Sequence, residues 1–280
     1  MNASDMVLRF YRIAEKFLLL YGIKREVIDL PDVRLHTLHY SNDKADSQVV
    51  LLHGIGASAV QFSKIIPKLR KKYEIWVPHL PPFLNFSQLK IPKTYLTAVG
   101  EANILSPWLH ELSRRKKLIL VGTSFGGWVA MEYSVRFPSA VSKLVLINSS
   151  GITLGLREAR DYFARIKGKK ELLEILSLIY TRWKRYLWLW APLFRAAWEH
   201  PSVQHLLFDE DGQVPIDDEL RKLTMPVTII WGEEDQLIRK DVALEFNRLI
   251  PHSTLHFIPN CGHSPVVERP RETAKLILDL

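Results

Sequence analysis

Six short apolar or β-branched runs punctuate the chain, at Val49 to Leu52, Ile75 to Val77, Leu118 to Val121, Leu144 to Ile147, Val227 to Trp231 and Leu255 to Ile258. Each has the length and composition of a buried strand. Helical patterns fall between several of them, notably Trp128 to Phe137, where Val129, Ala130, Tyr133 and Phe137 share one side, and Val242 to Leu249. Alternation of this kind predicts a mostly parallel sheet with helices on both faces, an α/β fold.

One interval breaks the rhythm. From Gly151 to about Leu223 no convincing strand occurs, and helical stretches such as Lys170 to Tyr180 and Arg182 to Ala197 dominate. There is no internal repeat and no low-complexity linker, so the interval is expected to pack as a cap on the sheet. The predicted organisation is an N-terminal amphipathic helix over 1–24, an α/β core from 25–150 and 224–280, and a helical cap over 151–223.

A chain of 280 residues that is 47% hydrophobic has ample material for one large core. The single cysteine, Cys261, cannot form an internal disulfide and reads as a small packing residue. The net charge of +8 suits nucleic acid or an anionic membrane surface, and its distribution favours the membrane. Between Gly151 and His200 ten Lys or Arg face five acids, and Trp183, Trp188, Trp190 and Trp198 lie in the same stretch. Aromatic and basic side chains together suit a bilayer interface, and no nucleic-acid fold signature accompanies them. At the N-terminus Met6, Val7, Phe10, Ile13, Ala14, Phe17, Leu18 and Tyr21 recur at helical spacing, but the longest uncharged run, Phe17 to Ile23, is too short to span a bilayer. That helix is expected either to pack on the protein's own body or to touch a membrane, with the protein cytoplasmic or peripheral on the membrane.

The stretch Leu120 to Trp128, LVGTSFGGW, sets Ser124 between glycines directly after a buried run. Strand before, helix after and small residues around the serine are the requirements of a nucleophile elbow. Ser124 would then sit at a helix N-terminus, where backbone N–H groups favour developing negative charge. A serine hydroxyl needs a base, and among the histidines only His263, in PNCGHSP, occupies a Gly-flanked loop at the expected end of the sheet. An acid is due at the tip of the preceding strand. There WGEEDQ supplies Asp235, with Glu233 and Glu234 as alternatives. A glycine-rich turn, His53-Gly54-Ile55-Gly56, follows another buried strand, and the N–H groups of Ile55 and Phe125 are the candidates for an oxyanion hole. His53 itself reads as a brace for the turn.

Together, His53 to Gly56, Gly122 to Gly126, Trp231 to Asp235 and Gly262-His263 resemble the α/β-hydrolase superfamily. The runs GTSFGGWVA, WGEEDQ and NCGHSPVVERPRETAKLILDL are similar to the monoacylglycerol lipase branch of the α/β-hydrolase-domain proteins, over roughly residues 49–56, 117–150 and 225–280. The resemblance implies an α/β-hydrolase fold, with Ser124 as nucleophile, Asp235 as orienting acid and His263 as general base. It departs after Val77, where PHLPPFLNFS lacks the Asp and glycines common in relatives, which implies a different loop at the substrate entrance. It also departs at the N-terminus, where the animal lipases of this branch carry a transmembrane segment.

The expected activity is serine-dependent hydrolysis of a lipid-like or otherwise apolar carboxylic ester through an acyl-enzyme, with no metal and no organic cofactor. Carbon–carbon bond hydrolysis or thioester hydrolysis by the same three residues is the nearest alternative, since fold does not fix substrate. A ligand-binding receptor on a hydrolase fold is the alternative outside enzymology. Peripheral membrane contact is an expected partner interaction, nucleic acid is not, and the sequence sets no oligomeric state.

Overall fold

The structure, a computed structural model, describes residues 13–81, 86–91, 96–182, 184–208 and 214–280. Among them, nine strands form one sheet in the order β1-β2-β4-β3-β6-β7-β8-β9, with β5 paired to β2. These are β1 (Lys24–Asp29), β2 (Val33–Tyr40), β3 (Ser47–Leu52), β4 (Glu74–Pro78), β5 (Gln88–Leu89), β6 (Lys117–Thr123), β7 (Lys143–Ile147), β8 (Val227–Gly232) and β9 (Thr254–Ile258). From β4 across the sheet to β9 all pairings are parallel, while β1 and β2 add an antiparallel edge. All six runs read as strands from sequence are strands. The edge strands β1 and β2 carry exposed or charged residues at alternate positions, KREVID and VRLHTLHY, and so lack a continuous apolar run.

Strand periodicity divides the core in two. Val50 and Leu52 of β3, Leu118 and Leu120 of β6, and Leu144 and Leu146 of β7 enter one apolar cluster. Their neighbours Val49, Leu51, Ile119, Val121, Val145 and Ile147 enter the other. A period of two thus buries both faces, each fully enclosed Val, Leu or Ile contributing roughly 1.5–3 kcal/mol. The first cluster is covered by helices α3 (Ala98–Arg115), α4 (Phe125–Arg136) and α9 (Lys240–Leu249). The second is covered by α2 (Ile66–Leu69) and α11 (Pro270–Leu278), and by α1, which is described over residues 13–19.

In α1, Leu18 is buried in the second cluster and Glu15 pairs with His79 and Arg25. Phe17 and Leu20 stay exposed, at 63% and 81%. The helix therefore docks by one side and leaves an apolar side open, and the remainder of the stretch read as helical, residues 1–12, lies outside the described residues.

Between β7 and β8 the described residues are helical, with α5 (Thr153–Ala164), α6 (Lys169–Ile179), α7 (Leu187–Trp198) and α8 (Pro201–Phe208). Leu172, Leu176, Leu187 and Ala191 join α6 and α7 through a small core of their own. The short helix α10 (Pro265–Glu268) lies just beyond the β9 loop. Trp183 and the side chain of Trp190 lie outside the described residues. No helix among the described residues is long and apolar enough to cross a membrane.

Candidate active site

The sheet order reverses direction at β3, whose neighbours are β4 and β6, and crevices at the carboxyl ends of such strands are where open α/β sheets bind ligands. The turn after β6 lies there. Ser124 has φ 51° and ψ −119°, a positive-φ conformation that costs a non-glycine residue about 1–3 kcal/mol and therefore needs support. Its N–H donates to the Ile147 carbonyl at 3.0 Å, and its carbonyl accepts from Gly127 and Ser150 at 3.0 and 3.2 Å. A Cβ on Gly122 would collide with the backbone of Gly126 and Gly127, and one on Gly126 with the carbonyls of Leu52 and His53. Glycine at these two positions lets α4 press against β3 and β6 with Ser124 at its N-terminus.

Asp235 follows β8 and is buried, whereas Glu233 and Glu234 are exposed. Its Oδ2 accepts from His263 Nδ1 at 2.7 Å and from Asn148 Nδ2 at 2.5 Å, and its Oδ1 accepts from the N–H groups of Leu237 and Ile238 at 2.9 and 3.0 Å. A carboxylate only accepts, so Nδ1 carries the proton of this bond, and in the neutral ring Nε2 keeps its lone pair. Asn148, itself at φ 42°, accepts from the Gly232 N–H at 3.0 Å and so fixes the end of β8 as well as the carboxylate.

The turn after β3 is braced by the fully buried His53. Its Nε2 accepts from the Leu80 N–H at 2.9 Å, which leaves Nδ1–H to donate to the Gly54 carbonyl at 2.8 Å. Burial holds this imidazole neutral, with a pKa pulled down to about 3. Gln61 Oε1 accepts from the Gly54 N–H and from Thr123 Oγ1, each at 3.2 Å, and ties this turn to the elbow.

Ser124, Phe125, Ile55 and His263 all line one cavity of about 780 Å³, whose remaining wall is mostly apolar and drawn from the helices between β7 and β8. Phe163 and Trp198, stacked at 5.3 Å, are part of it. Among the described residues Lys64 and Arg160 are the only Lys or Arg side chains that line it, and no Asp or Glu does. The loop bearing His263 is bonded to the α6 end: His263 N–H donates to the Ile179 carbonyl at 2.8 Å. Glu268 completes that junction, accepting from the Gly262 N–H through Oε1 and from the Thr181 N–H, Thr181 Oγ1 and Arg182 N–H through Oε2, at 2.8–3.1 Å. Cys261 is buried beside it, and burial pushes its thiol pKa well up, which suits packing and not thiolate chemistry. Among the described residues no group of three or more His, Cys, Asp or Glu could hold a metal ion.

The sequence reading missed Asn148 and Glu268. Asn148 ends a buried run in LINSS, a position where a polar side chain faces the crevice; Glu268 carries no local signal, since its partners in the helical layer are separated from it by 86 and 87 residues.

A parallel sheet with a serine elbow after β6 and a histidine–carboxylate pair after β8 and β9 defines an α/β hydrolase. The sequence model of the Alpha/beta hydrolase family matches residues 49–276, and the chain belongs to that family. It is 29% identical over 251 residues to monoacylglycerol lipase ABHD6 of Rattus norvegicus, covering 82% of this chain and 74% of that one. It is 26% identical over 257 residues to 2-hydroxy-6-oxo-2,4-heptadienoate hydrolase of Pseudomonas putida, covering 84% and 89%. Naproxen esterase (carboxylesterase NP) from Bacillus subtilis superposes with a TM-score of 0.80 at 19% identity, covering 97% of this chain and 96% of that one, a likeness of fold.

Proposed function

We propose that this hydrolase is a serine carboxylester hydrolase of the monoacylglycerol lipase type, acting on lipid-like esters through an acyl-enzyme. The observation that carries the reading is the His263–Asp235 bond, with His263 and the elbow serine Ser124 in the wall of one apolar cavity. His263 Nε2 takes the proton of Ser124 Oγ as the oxygen attacks the ester carbonyl. The carbonyl oxygen becomes an oxyanion held by the N–H groups of Ile55 and Phe125. The tetrahedral intermediate collapses, the alcohol leaves with the proton from His263, and Ser124 carries the acyl group. Water then attacks with His263 again as base, releasing the carboxylic acid and free Ser124.

In this reading residues 25–150 and 224–280 are the catalytic core and 151–223 the cap that encloses the chain of the substrate. The cap is also the side that meets a membrane surface. Tyr186, Trp188 and Leu189 are 43%, 57% and 53% exposed next to the exposed Lys184 and Arg185, an apolar and cationic combination suited to an anionic bilayer. Tyr186 and Leu189 also line the cavity, so the same segment would guide lipid inward. The relatedness to a dienoate hydrolase favours carbon–carbon bond hydrolysis as the second reading.

Ser124→Ala is expected to lower ester hydrolysis by on the order of 10³-fold or more and to abolish labelling by a fluorophosphonate probe. Labelling that survives the substitution overturns the reading. Faster turnover of a dienone acid than of any ester would select the second.

A further inference from the structure

Arg160 occupies an unusual place in the cavity wall. Its side chain lines the chamber that also holds Ser124 and His263, and its Nη2 is buried without a hydrogen-bond acceptor. The helix register explains why no acceptor is close. Positions three and four residues away along α5 are Leu156, Arg157, Phe163 and Ala164, none of them acidic. Of the acids on the same helix, Glu158 pairs with Arg239 and Asp161 is exposed.

Arg160 as a whole is only partly buried, but an N–H group of a charged side chain shut off from water without an acceptor is unfavourable, and proteins keep such a group where something else supplies the acceptor. Lys64, the other cation of the chamber, is already engaged: its Nζ donates to the Val267 carbonyl at 3.1 Å, and burial together with the Arg182 charge holds its pKa down. Among the described residues the chamber therefore combines a long apolar wall with a guanidinium and no acidic residue. A wholly neutral ester would satisfy the wall and leave Arg160 unanswered.

We infer that the chamber is built for single-chain acyl esters that bear an anionic group, a phosphate or a carboxylate, with Arg160 as its partner. The inference rests on the ester-hydrolase reading above and names the charge its substrate carries. The planar fork of Arg160 can give two N–H groups to either kind of anion while Leu156 and Phe163, on the same helix and in the same wall, hold the chain.

The test uses ether analogues that cannot be hydrolysed: 1-O-decylglycerol, its 3-phosphate, and 3-O-decylglycerate. Each is measured below its micelle concentration as a competitive inhibitor of p-nitrophenyl butyrate hydrolysis. The wild-type protein is expected to bind one of the two anions about tenfold or more tightly than the neutral ether, as a charge-assisted hydrogen bond provides, and the preferred anion tells phosphate from carboxylate. Arg160→Met should erase that preference and Arg160→Lys should keep part of it. Equal inhibition by charged and neutral ethers in the wild type, or an undiminished preference in Arg160→Met, overturns the inference. Should Arg160→Met fail to fold, the wild-type ratio and Arg160→Lys decide. Labelling of Ser124 by a fluorophosphonate and turnover of the butyrate ester test the underlying reading separately. Their joint absence removes that reading and this inference with it, whereas a labelled, active protein blind to charge removes this inference alone.

Discussion

The backbone N–H of His263 donates to the carbonyl of Ile179, so the loop that presents the imidazole is hydrogen-bonded to the helical layer above it. With Glu268 gathering four more donors at the same junction, the position of the histidine depends on a segment far away in sequence.

Glu268→Gln is therefore expected to cost about 1–3 kcal/mol of stability, because an NH₂ replaces one acceptor among buried donors. Its catalytic effect should appear in kcat for a short soluble ester, since the imidazole loses support before substrate chains matter. Denaturant unfolding and steady-state kinetics check both. A fully active variant with wild-type stability would show that the junction does not position His263.

Asp235→Asn places an amide NH₂ or a carbonyl among donors from His263, Asn148, Leu237 and Ile238. It should hold the wrong imidazole tautomer and reduce kcat by on the order of 10³- to 10⁴-fold. Glu234→Gln, at an exposed position, should stay near wild type. Measured kcat values in the opposite order would reassign the acid.

Replacing Lys184 and Arg185 together by Glu should weaken binding to anionic vesicles and lower activity on dispersed lipid, with hydrolysis of a short soluble ester near normal. Wild-type vesicle binding should weaken with added salt, as contacts between exposed charges do. Absence of vesicle binding at low salt removes the membrane proposal and leaves the proposed triad untouched. Equal loss on both substrates would instead indicate that these residues serve folding.

His53 gives acid sensitivity a defined sign. Its folded pKa is about 3 against an ordinary value of 6.5, so below 6.5 the unfolded chain binds a proton that the folded chain refuses. Stability from this site is complete above pH 6.5 and falls as pH drops toward 3, by about 1.4 kcal/mol per unit. Urea unfolding at about pH 7, 6 and 5 should show that slope, and His53→Asn should lose this part of it. An unchanged slope in His53→Asn would locate the acid sensitivity elsewhere.

The parallel strands were legible because each is a continuous apolar run, and two residues of the candidate site, Ser124 and Asp235, follow runs that give way to a glycine. Leu118 to Val121 followed by Gly122 shows the pattern plainly, as does Val227 to Trp231 followed by Gly232 and Asp235. The edge strands were not legible, because Arg25, Glu26 and Arg34 interrupt them and their pairing comes from the neighbouring strand. Asn148 and Glu268 were not legible either, since each acts on groups brought to it only by the folded chain.

The apolar cavity has one more consequence, for the thermodynamics of folding. Side chains that face a chamber of about 780 Å³ pack against protein on fewer sides than those of a closed interior, and so make fewer dispersion contacts. In the proposed lipid-ester reading a bound amphiphile supplies them, and a ligand at about 100 times its Kd adds about 2.7 kcal/mol to folding stability. The melting temperature of this hydrolase should then report its lipid occupancy, rising as the chamber fills and falling as a preparation is stripped of lipid.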